Sequence, residues 1–311
     1  MHCCINKTSV IMPELEETSV YRRRWYILFL YSCLCLWAST VWLTWGPVAK
    51  IAQIAFPSWT DGTIALLTNW AAFVSFPALV PCMILVSKSV RLSVVTASGL
   101  MAAGTSLRCI KYVVPGISDM VFTITCHVCA ALCGVSGLVL CSAPALISAT
   151  WFPTGERVTA TSISLMALGL GNGVSFLLAS GMIRNGGTYG THSNQSCPNI
   201  TDNKILSNYS AADVELYREE IGHYMFTMAG PSIALFFLVL VYFPSKPPLP
   251  PSISAHDSNL RLIEGVMQVL LNKDGWILMI VNALSQAISG TWGAMMVTNL
   301  SFLTSQGKCL R

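Results

Sequence analysis

Directly after the triplet Arg22-Arg23-Arg24, residues 25–49 run without a single charged side chain. A membrane-spanning helix needs about 20 predominantly apolar residues, because the bilayer core offers no water to backbone amides. Six more such gaps between charges follow, at 62–87, 92–107, 120–153, 158–183, 221–245 and 275–303. The third makes a full span only if Arg108 and Lys111 sit at its far edge. The fourth reads as one long helix to about Ser148, with the chain re-entering water at Trp151-Phe152-Pro153. Seven spans in 311 residues leave no soluble remainder.

The rest of the composition agrees. Charged residues make up 10% of the chain, against about 25% in a typical soluble domain. A net charge of +4 is too small to mark a polyanion-binding surface, so nucleic acid is not an expected partner. No grouping of nucleophile, base and oxyanion donors can be assembled, so the chain is not expected to be an enzyme, and no cofactor is implied. Most of the cysteines, Cys33, Cys35, Cys82, Cys126, Cys129, Cys133 and Cys141 among them, lie inside apolar runs, where a free thiol behaves as a small hydrophobe. Cys126-His127-Val128-Cys129 mimics a metal box. Its ligands cannot all face one ion from a single helix turn, so no metal is expected.

Orientation follows from the flanks. The Arg triplet, with Lys88 and Arg91 between the second and third spans, favours a cytosolic N-terminus. The loop 184–222 holds three glycosylation sequons, headed by Asn194, Asn199 and Asn208, and these require exposure to the lumen. Both signals give the same topology. Pro244, Pro247, Pro248, Pro250 and Pro251 then open an extended, solvated linker. The expected organisation is a cytosolic tail (1–24), a six-helix bundle (25–245) with its glycosylated lumenal loop, a proline-rich cytosolic linker (246–274), a seventh helix (275–303) and a short tail (304–311). The fold class is thus an all-α integral membrane protein. Its plan is that of a major facilitator N-terminal six-helix bundle plus the first helix of a second bundle.

Several multi-residue segments carry a family likeness. They are Tyr21-Arg22-Arg23-Arg24-Trp25-Tyr26, Trp42-Leu43-Thr44-Trp45-Gly46-Pro47, Gly104-Thr105-Ser106-Leu107-Arg108-Cys109-Ile110, Ala143-Pro144-Ala145 with Thr150-Trp151-Phe152, and Glu156-Arg157-Val158-Thr159-Ala160-Thr161. Together they resemble solute carrier family 49. That family holds the feline leukaemia virus subgroup C receptor-related transporters and the lysosomal disrupted-in-renal-carcinoma branch. The segment from Tyr242 to Ser252 and the glycosylated loop are most similar to the lysosomal branch. The resemblance implies a twelve-helix transporter of the lysosomal membrane that exports a small metabolite, pyridoxine (vitamin B6), in a proton-linked way. The sibling branch implies choline or haem. Two departures stand out: Ser87-Lys88-Ser89-Val90-Arg91 lacks the Asp usual in that loop, and the acidic tail Met12-Pro13-Glu14-Leu15-Glu16-Glu17 lacks a dileucine. Twelve spans also need roughly 400 residues, so the chain is expected to lack most of a second half.

Ionisable groups inside a membrane are functional candidates by default. The seven runs contain no Asp or Glu, which leaves His127 in the fourth span as the candidate proton-coupling group, its reference pKa being near neutral. Trp42 occupies the position of the pocket tryptophan in the choline-carrying relatives, as the resemblance implies, and an aromatic face there can cradle a flat or cationic ligand. Trp45, three residues on, reads as an interfacial anchor. Asn172 in the fifth span is a candidate pocket amide, flanked by Gly169 and Gly173 as packing glycines. Trp292 in the seventh span completes the expected substrate-binding set, with Asn69 and Gln286 as weaker candidates. Arg108 is expected to meet headgroups or Asp119, and His223 to be solvated.

The expected partners are a small-molecule substrate, protons and membrane lipids. Two other classes compete with a transporter. A seven-helix receptor would put the N-terminus outside, against the flanking charges. A regulatory half-transporter that pairs with a full-length copy shares every residue with the first reading.

Overall fold

A computed structural model of the chain describes residues 19–183, 211–249, 251, 268 and 271–294. The described residues are helical, with no strand among them. The helices are α1 (Arg23–Trp42), α2 (Trp45–Ala55), α3 (Asp61–Lys88), α4 (Val90–Val113), α5 (Asp119–Ser142), α6 (Pro144–Trp151), α7 (Arg157–Met182), α8 (Ala211–Val241) and α9 (Lys273–Ala294). Counting α1 with α2 and α5 with α6, six of the described segments are long and apolar enough to cross a membrane. Over the seventh expected span the described residues form α9. The sequons at Asn194, Asn199 and Asn208 lie outside the described residues.

Polar residues set the helix starts. Thr60 and Thr63 form a reciprocal capping box at α3, and the hydroxyls of Ser89 and Ser118 accept from Leu92 N and Val121 N at the starts of α4 and α5. Asp61 and Asp119 lie in first turns, where the helix dipole favours an anion.

Two expected single helices are broken, each by a proline. Pro47 has no N–H for the carbonyl of Leu43, and α1 stops at Trp42. The freed Leu43 oxygen accepts a hydrogen bond from Ser175 Oγ of α7 at 3.1 Å. Pro144 likewise frees the Leu140 carbonyl, which accepts from the hydroxyl of the fully buried Tyr31. Each break therefore ties two helices together, as a lipid environment requires of any exposed backbone group.

The sixth span begins at Ala211, well before the expected residue 221. The extension is amphipathic, burying Tyr217 in helical register with Ile221, Tyr224 and Met225 of the expected span. Its Arg218 donates from Nε to Ala55 O at 2.8 Å and from Nη2 to Asp119 at 3.0 Å. Charged side chains on the other face of the extension hid it from a search for uncharged runs.

Apolar packing is divided between two layers. One lies towards the start of α1 and includes Ile27, Tyr31, Leu34, Met101, Leu140, Ile147, Phe152 and Phe243. The other lies towards the end of α2 and includes Val48, Ile51, Phe56, Trp59, Phe122, Tyr224 and Met228. On helix after helix, a buried polar residue falls between the two stretches: Thr40, Thr105, Ser136, Ser175 and Ser232. The bundle thus has a polar belt at mid-depth. Its outer faces are apolar, as with Phe73, Phe76 and Val80 on α3 and Leu165, Met166, Leu170 and Leu177 on α7.

Each layer is locked at its outer rim. At one end Arg24 of α1 pairs with Glu156 before α7 at 3.0 Å and lies over the rings of Trp25 and Phe152. At the other, Asp119 is bracketed by Lys111 of α4 and Arg218 of α8. The partner of Asp119 is therefore not Arg108.

Candidate functional site

Close helix contacts position the belt. A Cβ on Gly171 would sit 2.1 Å from the Leu36 carbonyl oxygen of α1, so only glycine fits there. The carbonyl of Gly171 in turn accepts from Thr40 Oγ1 at 2.9 Å. The packing glycine of α7 is therefore Gly171, whereas Gly169 and Gly173 face open space. A Cβ on Gly104 would sit 3.3 Å from Cys129 O, bringing α4 close against α5. One turn after Gly104, the same face of α4 presents Arg108.

Arg108 is 2% exposed. It sits in the interior of the bundle, and α4 continues past it to Val113. With Trp42, Trp45, Leu67 and the thiols Cys126, Cys129 and Cys133 it lines a recess beside the break between α1 and α2. The recess holds about 20 Å³, room for a water-sized body. Two Arg108 nitrogens, Nε and Nη2, are buried without a hydrogen-bond partner, and so is Trp42 Nε1. Leaving such donors unpaired costs about 1–3 kcal/mol each.

The other expected residues fall in different surroundings. Trp45 is 3% exposed and packs edge-on against Trp59 at 4.9 Å between centroids, so it belongs to the core and is not an interfacial anchor. Asn172 follows Gly171 on α7, with its Oδ1 buried and unpartnered, but it is not among the residues lining the recess. His127 points to α3, where Trp70 Nε1 donates to its Nδ1 at 2.8 Å; its neighbours Cys126 and Cys129 line the recess and it does not. An accepting Nδ1 makes the ring neutral with its proton on Nε2, so loading a second proton must break the bond to Trp70. Asn69 is exposed and bonds back to Ala65 O at 2.8 Å. His223 is exposed on α8. Trp292 and Gln286 lie in α9, their side chains outside the described residues.

Sequence reasoning missed Arg108. Its signal was the small-residue stretch before it together with a span that begins at Val90, which moves Arg108 inward from the span's end.

The chain is similar along most of its length to proteins of solute carrier family 49. A Xenopus tropicalis protein named solute carrier family 49 member 4 homolog is 28% identical over 278 residues, covering 89% of this chain and 56% of the relative. A zebrafish (Danio rerio) solute carrier family 49 member A3 is 28% identical over 271 residues, covering 84% and 49%. The human protein named choline/ethanolamine transporter FLVCR2 is 25% identical over 244 residues, covering 77% of this chain and 40% of its own. No protein-family model matches the chain. The chain spans about half the length of the curated relatives it matches.

Proposed function

We propose that this chain forms the first bundle of a secondary-active transporter of the solute carrier family 49 type, moving a small metabolite across a membrane. The observation that carries this reading is the recess at the α1 break, where Trp42 and Arg108 turn unpaired donors into the bundle interior beside the belt of buried hydroxyls. In transporters of this architecture, substrate sites lie near mid-depth where helices are interrupted. The names of the relatives support the same class of activity.

The finer reading is proton-linked export of pyridoxine from lysosome to cytosol. The N-terminus is cytosolic, and Asn194, Asn199 and Asn208 are glycosylated on the lumenal side. Trp42 stacks on the pyridine ring, Asn172 and Trp292 contribute from α7 and α9, and His127 takes up the coupled proton. The flanking Arg triplet and the sequons support the orientation. The second reading is choline transport, favoured by the printed name of the FLVCR2 relative and by the aromatic face of Trp42.

Trp42→Ala in the protein at its native length tests the site. Uptake of labelled pyridoxine into cells should fall at least tenfold while the protein reaches the same membrane in the same amount. Undiminished uptake would return Trp42 to a packing role.

A further inference from the structure

The rim at the start of α1 gathers cations from three separate segments. Lys88 ends α3, and Arg91 lies in the first turn of α4. Between them, Ser89 Oγ shares a hydrogen bond with Ser245 Oγ at 3.3 Å, so the α3–α4 turn meets the segment after α8. Arg91 Nη2 adds a second tie by donating to Leu240 O at 3.4 Å, and Lys246 follows Ser245 directly. The start of α1 adjoins the same corner. Tyr26 packs against Tyr242 with 5.7 Å between ring centroids, and Arg22 and Arg23 stand one turn before Tyr26 on its helix face.

All five of these basic residues are exposed. None forms an ion pair among the described residues; Glu156, on the same rim, is taken by Arg24. The turn 87–91 carries no acid of its own. Apolar surface begins directly beside the charges, with Leu92, Leu240 and Val241 all exposed. Cations bordering exposed aliphatic side chains match the two ends of a phospholipid, an anionic head and acyl chains.

From this juxtaposition we infer that the corner formed by the start of α1, the α3–α4 turn and the end of α8 binds a polyanionic phospholipid. The class is an inositol lipid whose headgroup bears several phosphates. A singly charged headgroup can engage one or two of the five cations, whereas several phosphates can bridge all three segments through charge-assisted hydrogen bonds. The bordering apolar surface selects a lipid over a soluble anion. The orientation proposed above puts this rim on the cytosolic side, where anionic lipids concentrate. The bound lipid then ties together three segments that otherwise meet through one hydroxyl pair, one long hydrogen bond and one ring contact.

The test uses the purified full-length protein in detergent at physiological ionic strength, where diffuse attraction is screened. The probes are dioctanoyl phosphatidylinositol 4,5-bisphosphate, phosphatidylserine and phosphatidylcholine, with inositol 1,4,5-trisphosphate as a headgroup without chains. Ligand-dependent shifts in thermal unfolding give the affinities. Wild type should bind the bisphosphate lipid at least tenfold more tightly than phosphatidylserine or the free headgroup, and show no shift with phosphatidylcholine. The triple variant Lys88→Gln, Arg91→Gln, Lys246→Gln should weaken the bisphosphate lipid at least tenfold. Lys246→Gln alone should weaken it at least threefold, and it serves if the triple variant fails to fold.

Equal affinities for the three lipids would overturn the inference, because the shift would then reflect the acyl chains alone. Free headgroup binding as tight as that of the lipid would overturn it in favour of a soluble polyanion. Bisphosphate-lipid binding within twofold of wild type in the triple variant, or undiminished in Lys246→Gln should the triple variant not fold, would move the site away from this corner.

Discussion

Arg108 is buried and Trp42 half-buried, and each holds buried donors without a partner, which costs more than an apolar replacement would. His127 differs, since its Nδ1 already accepts from Trp70 and it has to give up that bond to carry a second proton. If His127 is the coupling group, His127→Ala should flatten the pH dependence of pyridoxine uptake while leaving a residual flux, measured across pH 5 to 8. A retained pH profile would remove it from the proton path. Trp42 was legible in the sequence because it stands in a distinctive segment, Trp42-Leu43-Thr44-Trp45-Gly46-Pro47. Arg108 was not. A rule that treats every charge as the end of a span moves such a residue to the membrane edge, and only packing tells a buried arginine from one that reaches headgroups. The glycine assignment failed for a similar reason: the spacing of Gly169 and Gly173 suggested a contact, but the contact falls on Gly171 between them.

At the level of elements, gaps between charges found the helices but not their ends or breaks. The breaks at Pro47 and Pro144 depend on local chemistry that a proline announces. Their rescue depends on distant residues, Ser175 and Tyr31, that only the packed bundle brings near. A double-mutant cycle can measure this division of labour. With Pro47 present, Ser175→Ala strips the Leu43 carbonyl of its partner and should cost about 1 kcal/mol of stability in detergent. In a Pro47→Ala background the restored N–H can serve that carbonyl, and the same substitution should cost markedly less. Equal costs in both backgrounds would show that Ser175 does not compensate for the proline. The early start of α8 follows the same logic, because Arg218 earns its place through partners at the end of α2 and the start of α5, which stand far away in the sequence.

On the scale of the whole molecule, two apolar layers with a polar belt between them make a bundle that is inert on its outer faces and chemically open at mid-depth. An alternating-access transporter needs that division: a site near the bilayer centre with gates on either side. The rims locked by Arg24–Glu156 and by Lys111–Asp119–Arg218 hold the bundle as a body around the belt. The central claim is that the protein at its native length carries pyridoxine with protons. The measurement is uptake of labelled pyridoxine into proteoliposomes, acidic outside and neutral inside. Uptake should exceed that of protein-free vesicles several-fold and collapse when a protonophore dissipates the gradient. Uptake no greater than that of protein-free vesicles, or indifferent to the gradient, would contradict the account.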